Sequence, residues 1–120
     1  MKAMDIIDRL DGLEPNQYSP EQKLRWLSIL DGKIYEEVLR PREAEPKGFT
    51  EYVNGNEELL VPFPYAEELY TAYIFSQMDL LNAEITRYTQ SATQLAAAWR
   101  QYADWYNRSH APLGVRRLKL

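Results

Sequence analysis

From residue 74 to residue 106 apolar side chains return every four and then every three positions: Ile74, Met78, Leu81, Ile85, Tyr88, Ala92, Leu95, Trp99, Tyr102 and Tyr106. A 4,3 spacing is the seam of a helix that packs against another helix. It predicts helix over 64–107. Pro64 would stand at the first helical position, Glu67 and Glu68 near the positive end of the dipole, and Arg108 near the negative end. The polar run from Thr89 to Thr93 is where such a helix would bend or break, so the segment reads as one helix or as two. Unbroken, it would span on the order of 65 Å and would need a partner chain, or else it must fold back on itself.

Two further helices are predicted upstream. Ile6, Ile7 and Leu10 share one side of a helix over 3–10, with Gly12 as its stop. Ser19, Pro20, Glu21 and Gln22 then combine an N-cap, a first-position proline, an acid at the dipole and a capping-box partner. Leu24, Leu27, Leu30, Ile34 and Val38 follow at helical spacing, with Trp26 beside Leu30, so a helix is expected over 20–39, closed by Pro41.

Residues 41–63 have another character. Pro41, Pro46, Gly48, Gly55 and Pro62 interrupt any helix, and Asn54-Gly55 stands between two short runs. That pair suits a tight hairpin turn, so the segment reads either as a small β-hairpin or as a proline-bounded loop. Phe49, Tyr52 and Phe63 are its candidate contact residues, unless the rings fold back onto the helices. The expected fold is therefore a mainly α, single-domain helical bundle over 1–120, with long C-terminal helical segments and this insertion. The stretch 112–120 is expected to be an extended basic tail.

At 120 residues there is room for one core, and 45% apolar with 27% charged residues is a globular balance. No apolar run is long enough to span a bilayer. Asp5, Asp8 and Asp11 do not fit a signal peptide, and the absence of cysteine removes disulfides and thiolate chemistry. The net charge of −4 is unevenly laid out: residues 48–84 hold seven acids and no base, whereas 87–120 hold six bases and one acid. Such a layout suits ordinary solvated surface or an acidic part of one subunit meeting a basic part of its neighbour. In the tail, Arg116, Arg117 and Lys119 are candidate contacts, but three bases are a slight basis for DNA binding.

No catalytic, metal or cofactor site is legible. His110 is alone and has no second ligand at useful spacing. The pairs Glu36-Glu37, Glu57-Glu58 and Glu67-Glu68 are sequence neighbours, which diverge on a helix instead of converging like catalytic carboxylates. The chain is read as a non-enzyme. Its excess is aromatic: nine Tyr, three Trp and three Phe. Trp99, Tyr102 and Tyr106 fit the seam and are expected in the core. Tyr70, Tyr73 and Trp105 lie at its margin and are the interface candidates.

Three stretches carry a resemblance. The run from Trp26 to Tyr35 resembles KWLSELDGRIY, that from Glu58 to Tyr65 resembles ELLVPAPYDELY, and that from Tyr106 to Pro112 resembles YYNRTHMP. In this order they resemble a group of small phage and prophage proteins of Gram-positive bacteria, encoded near capsid genes. The chain departs in having Phe63 where the group often has a small residue and Gln90-Ser91 where Asn is common. The resemblance implies a head–tail connector, a head-completion adaptor that assembles as a ring at the portal. Its partners would be copies of itself, the portal and neighbouring neck proteins, with DNA passing through the channel without specific binding and no membrane contact. It would be found in the host cytoplasm during assembly and in the virion neck. Glu57, Glu58, Glu67 and Glu68 are expected to face such a channel. Competing readings are a helical coiled-coil scaffold or regulatory module, and a small nucleic-acid packaging factor.

Overall fold

The computed structural model describes residues 1–43 and 47–110. Four α-helices account for most of it: α1 (Ala3–Leu13), α2 (Pro20–Ile34), α3 (Ala66–Leu81) and α4 (Ile85–Ser109). α2 runs on through one π-helical turn (Tyr35–Leu39) and a 3-10 turn (Arg40–Arg42). The only extended pairing among the described residues is an isolated antiparallel bridge between Lys2 and Glu58. The fold is a small helical bundle with a looped insertion, and the hairpin alternative is not what forms.

The helices start and stop for different reasons, some local and some not. Ser19 Oγ accepts the Gln22 N–H at 3.1 Å and Pro20 follows it, so α2 begins where its cap predicts. α1 exceeds expectation by one turn, because Gly12 stays helical and the Glu14 N–H closes onto the Leu10 carbonyl at 2.9 Å. The first-turn amides of α1 find carbonyls in the insertion: Ala3 donates to Glu57 and Met4 to Gly55, at 3.0 and 2.9 Å. Pro64 does not open α3. It lies in a turn ahead of the helix, where the Pro62 carbonyl accepts from Tyr65 and Ala66 at 3.0 and 3.1 Å.

The expected break at 89–93 lies elsewhere. Thr89 and Thr93 return their hydroxyls to the carbonyls four residues back, at 3.0 and 2.8 Å, so the polar run stays inside α4. The chain reverses at Asn82–Glu84 instead. There the Glu84 N–H reaches the Asp79 carbonyl at 2.9 Å, the Ala83 N–H reaches Leu80 at 3.1 Å, and Ala83 has φ 57. This is the Schellman helix stop, built on alanine where glycine is usual. Its position after the stop is ordinarily apolar; here Arg87 bridges the two polar residues, Nη1 to Glu84 at 2.9 Å and Nε to Asp79 at 3.8 Å.

With a three-residue link, α4 folds back antiparallel on α3. The core forms mainly between α1, α2, α3 and the insertion: Ile6, Ile7, Leu10, Leu27, Ile34, Leu69, Tyr70, Ile74 and Val61 are each at most 1% exposed. α4 flanks this core. Of its 25 residues, Ser91, Ala98 and Tyr102 are buried. The seam thus divides. Ile74 and Met78 go inside, while Leu81 and Ile85 stand at the hairpin tip, 60% and 69% exposed. Tyr88, Ala92, Leu95, Trp99 and Tyr106 are half-buried along α4.

Candidate interaction surfaces

The insertion is bound to the body through one carboxylate. Asp31 lies on the inward stripe of α2, a turn after Leu27, and is fully buried. Its Oδ1 accepts the Tyr70 hydroxyl from α3 at 2.7 Å. Its Oδ2 accepts the Leu60 N–H at 3.0 Å and also the Tyr52 hydroxyl. Tyr70 Oη in turn accepts the Val61 N–H at 2.9 Å, and Ser28 Oγ accepts the Tyr52 N–H at 2.9 Å. Burial pushes the Asp31 carboxyl above its ordinary range, against the opposing pull of its three donors. Burial, and then the Asp31 charge, push the Tyr52 and Tyr70 phenols upward, so both stay protonated donors at neutral pH. Every partner is internal, and the arrangement is a clasp that satisfies two loop amides in the core.

Part of the expected contact set is consumed by that clasp. Tyr52 and Tyr70 are 7% and 0% exposed, because their hydroxyls reach Asp31 and their rings fill the core. Tyr73 is also buried, at 7%. These three are corrected from surface to interior. Phe49 is half-buried, edge-on to Tyr52 with centroids 5.3 Å apart, and its ring lies 3.6 Å from where a side chain at Gly32 would begin. Trp105 is half-buried in an aromatic group with Tyr65, Tyr102 and Tyr106, at centroid distances of 5.3 to 6.3 Å. Phe63 is 93% exposed, between two exposed prolines. Arg116, Arg117 and Lys119 lie outside the described residues.

The acidic stretch is largely spoken for as well. The Glu57 carboxylate accepts the N–H groups of Val53 and Gly55 at 2.6 and 2.8 Å, which holds its pKa below the ordinary range and shapes the Asn54-Gly55 turn. Glu58 pairs with the N-terminal ammonium at 2.9 Å and Glu67 with Arg9 at 3.2 Å. Three of the four acids expected to face a channel therefore have internal partners; Glu68 is exposed.

What remains open is apolar and lies along α4. α2 and α4 flank α3 without closing over it, leaving a groove of about 450 Å³ lined by Leu30, Tyr73, Ala92, Leu95, Ala96 and Trp99, with Lys33 and Glu37 on its α2 rim. Trp99, expected in the core, and Leu95, expected on the helix–helix seam, both border this groove, because a period records which side of a helix is apolar but not what covers it. Asp31 is not among the expected residues, although its signal is present in the sequence: an acid at a position where the α2 stripe calls for an apolar residue.

Among the described residues no group of three or more His, Asp or Glu side chains could hold a metal ion, and no helix is long and apolar enough to cross a membrane. Comparison with protein-family models, with curated proteins and with solved structures finds no match.

Proposed function

We propose that this chain is a structural protein of a tailed phage or prophage, a head–tail connector that joins a ring beneath the portal. The observation that carries the reading is α4, a 25-residue helix with three buried residues in the single chain. A half-covered apolar stripe beside an open groove is surface that another protein completes. The resemblance of three ordered segments supplies the kind of assembly. Two of those segments meet at Asp31, the first contributing the carboxylate and the second the Leu60 amide. The shared motifs are thus accounted for as parts of the fold, without any chemistry.

In this reading copies of the chain, the portal and the next neck protein are the partners. The protein acts in the host cytoplasm during assembly and in the virion neck afterwards, with DNA passing and not specifically bound. The test is to mix the purified chain with portal rings from the same phage or prophage and image them by electron microscopy. A collar of extra density beneath the portal is expected; portal rings that remain bare at high molar excess would overturn the reading. The α4 stripe also favours the scaffold alternative, in which two chains pair along it. A stable dimer at micromolar concentration, indifferent to the portal, would select that alternative.

A further inference from the structure

The link between α3 and α4 is a turn that its own residues resist. Asn82, Ala83 and Glu84 include no glycine and no proline, and Ala and Glu are among the better helix formers. The turn nonetheless puts Ala83 at φ 57, in the left-handed region where a Cβ crowds the following carbonyl. The apolar rhythm, meanwhile, crosses the link unbroken: Met78, Leu81, Ile85 and Tyr88 keep the spacing of a single helix. In the closed turn Leu81 and Ile85, with neighbouring Leu80, are left 60%, 69% and 51% exposed. Local propensity and periodicity favour continuation where the fold reverses, a conflict between levels that most chains avoid.

The helix beyond the link is held by contacts that another copy can supply. α4 packs chiefly on α3. Ser91 Oγ donates to Asp79 at 3.0 Å, Arg87 pairs with Glu14 on α1 at 2.6 Å, and the Tyr102 and Trp105 rings lie against Tyr65. None of these contacts depends on which chain carries α4. The surface that α4 covers is therefore complementary to the α4 of any second copy. A short, strained link between two elements packed in this way invites their exchange between protomers.

We infer that the α3–α4 hairpin opens at residues 82–84 and that two copies exchange α4, forming a reciprocal dimer. In it, α4 of each chain lies on α3 of the other, and the link is helical. Ala83 leaves the left-handed region. The two links come side by side at the two-fold axis, so Leu81 and Ile85 of both copies meet there instead of facing water. The exchange is a property of the chain itself; it goes beyond the connector reading and holds with or without a portal.

Refolding the full chain from urea at a concentration on the order of 1 mM, followed by size exclusion, tests this. A dimer should separate from the monomer and revert only slowly on dilution, because α4 must detach before it can return. Substitutions at Ala83, an exposed position, should move the equilibrium both ways. Ala83→Gly relaxes the closed turn and weakens a helical link, so the association constant should fall at least about thirtyfold, both links contributing. Ala83→Val, whose branched side chain tolerates φ 57 least, should raise the dimer fraction. Because the chain has no cysteine, the exchange itself is read by mixing Thr71→Cys and Gln94→Cys copies before refolding and treating the dimer with a short bis-maleimide. Thr71 on α3 and Gln94 on α4 line one depression, so a covalent heterodimer is expected wherever α4 has crossed. The variant carrying both cysteines, cross-linked within its monomer, is the control. A chain that stays monomeric both as wild type and as Ala83→Val, a dimer indifferent to Ala83→Gly, or a dimer that yields no covalent heterodimer would each overturn the exchange. The last two outcomes would mean that the exposed tips meet while each α4 stays at home.

Discussion

Tyr70→Phe is the sharpest perturbation of the clasp, because one oxygen does two jobs. Tyr70 Oη donates to Asp31 at 2.7 Å and accepts the Val61 N–H at 2.9 Å. The substitution keeps the ring, so no cavity term enters, and everything lost is polar. A buried donor left without a partner costs about 1–3 kcal/mol, and a hydrogen bond to a charged group contributes about 1.5–3 kcal/mol. The sum is about 2.5–6 kcal/mol, a large part of the roughly 5–15 kcal/mol by which a domain is stable. Tyr52→Phe is the control. It loses the hydroxyl bond to Asp31, but its backbone N–H keeps Ser28 Oγ as acceptor at 2.9 Å, so it should cost about 1.5–3 kcal/mol. Equilibrium urea unfolding followed by tryptophan fluorescence measures both. Hydrogen exchange of the Leu60 and Val61 amides should show Val61 losing protection preferentially in Tyr70→Phe. The reasoning is refuted if Tyr70→Phe is no more damaging than Tyr52→Phe, or if both lie within about 0.5 kcal/mol of wild type.

Three more outcomes are expected. Ala83→Gly should stabilise the chain by about 0.5–1 kcal/mol, since φ 57 at the α3 stop suits glycine; a loss of stability by thermal or urea unfolding would count against the helix-stop assignment. Gly55→Ala should cost about 2 kcal/mol, because φ there is +87 and a Cβ would stand 2.7 Å from the Met4 side chain; it should also loosen α1, read as faster exchange of the Ala3 and Met4 amides. At alkaline pH, burial holds the Tyr52, Tyr70, Tyr73 and Tyr102 phenols above their unfolded value of 10.0. A raised folded pKa gives stability that is present below pH 10 and lost above it, by about 1.4 kcal/mol per pH unit for each tyrosine. Ultraviolet difference absorbance should therefore show these four phenols ionising above pH 10.0 and only with unfolding, whereas their ionisation at pH 10.0 in the folded state would contradict the burial.

Signals that act within a few residues were enough to fix local structure. Ser19-Pro20 starts α2 because a hydroxyl and a fixed φ need only the next turn to act on. Asn54-Gly55 makes a turn, although Glu57 caps it and the N-terminus of α1 takes its carbonyls, so no hairpin partner is used. Helical class, a single core and the charge layout were likewise readable from the chain. The reversal at 82–84 was not. The 4,3 rhythm passes from Leu81 to Ile85 without a missed beat, and a period cannot register that the chain turns around between two of its members. Nor could periodicity tell that Tyr52 and Tyr70 would leave the surface for a carboxylate 21 and 39 residues away, or that Trp99 would border an open groove. Those outcomes depend on which faces meet. A buried charge must draw its donors from wherever the packed chain brings them, and a helix with one covered side shows the other to whatever partner comes.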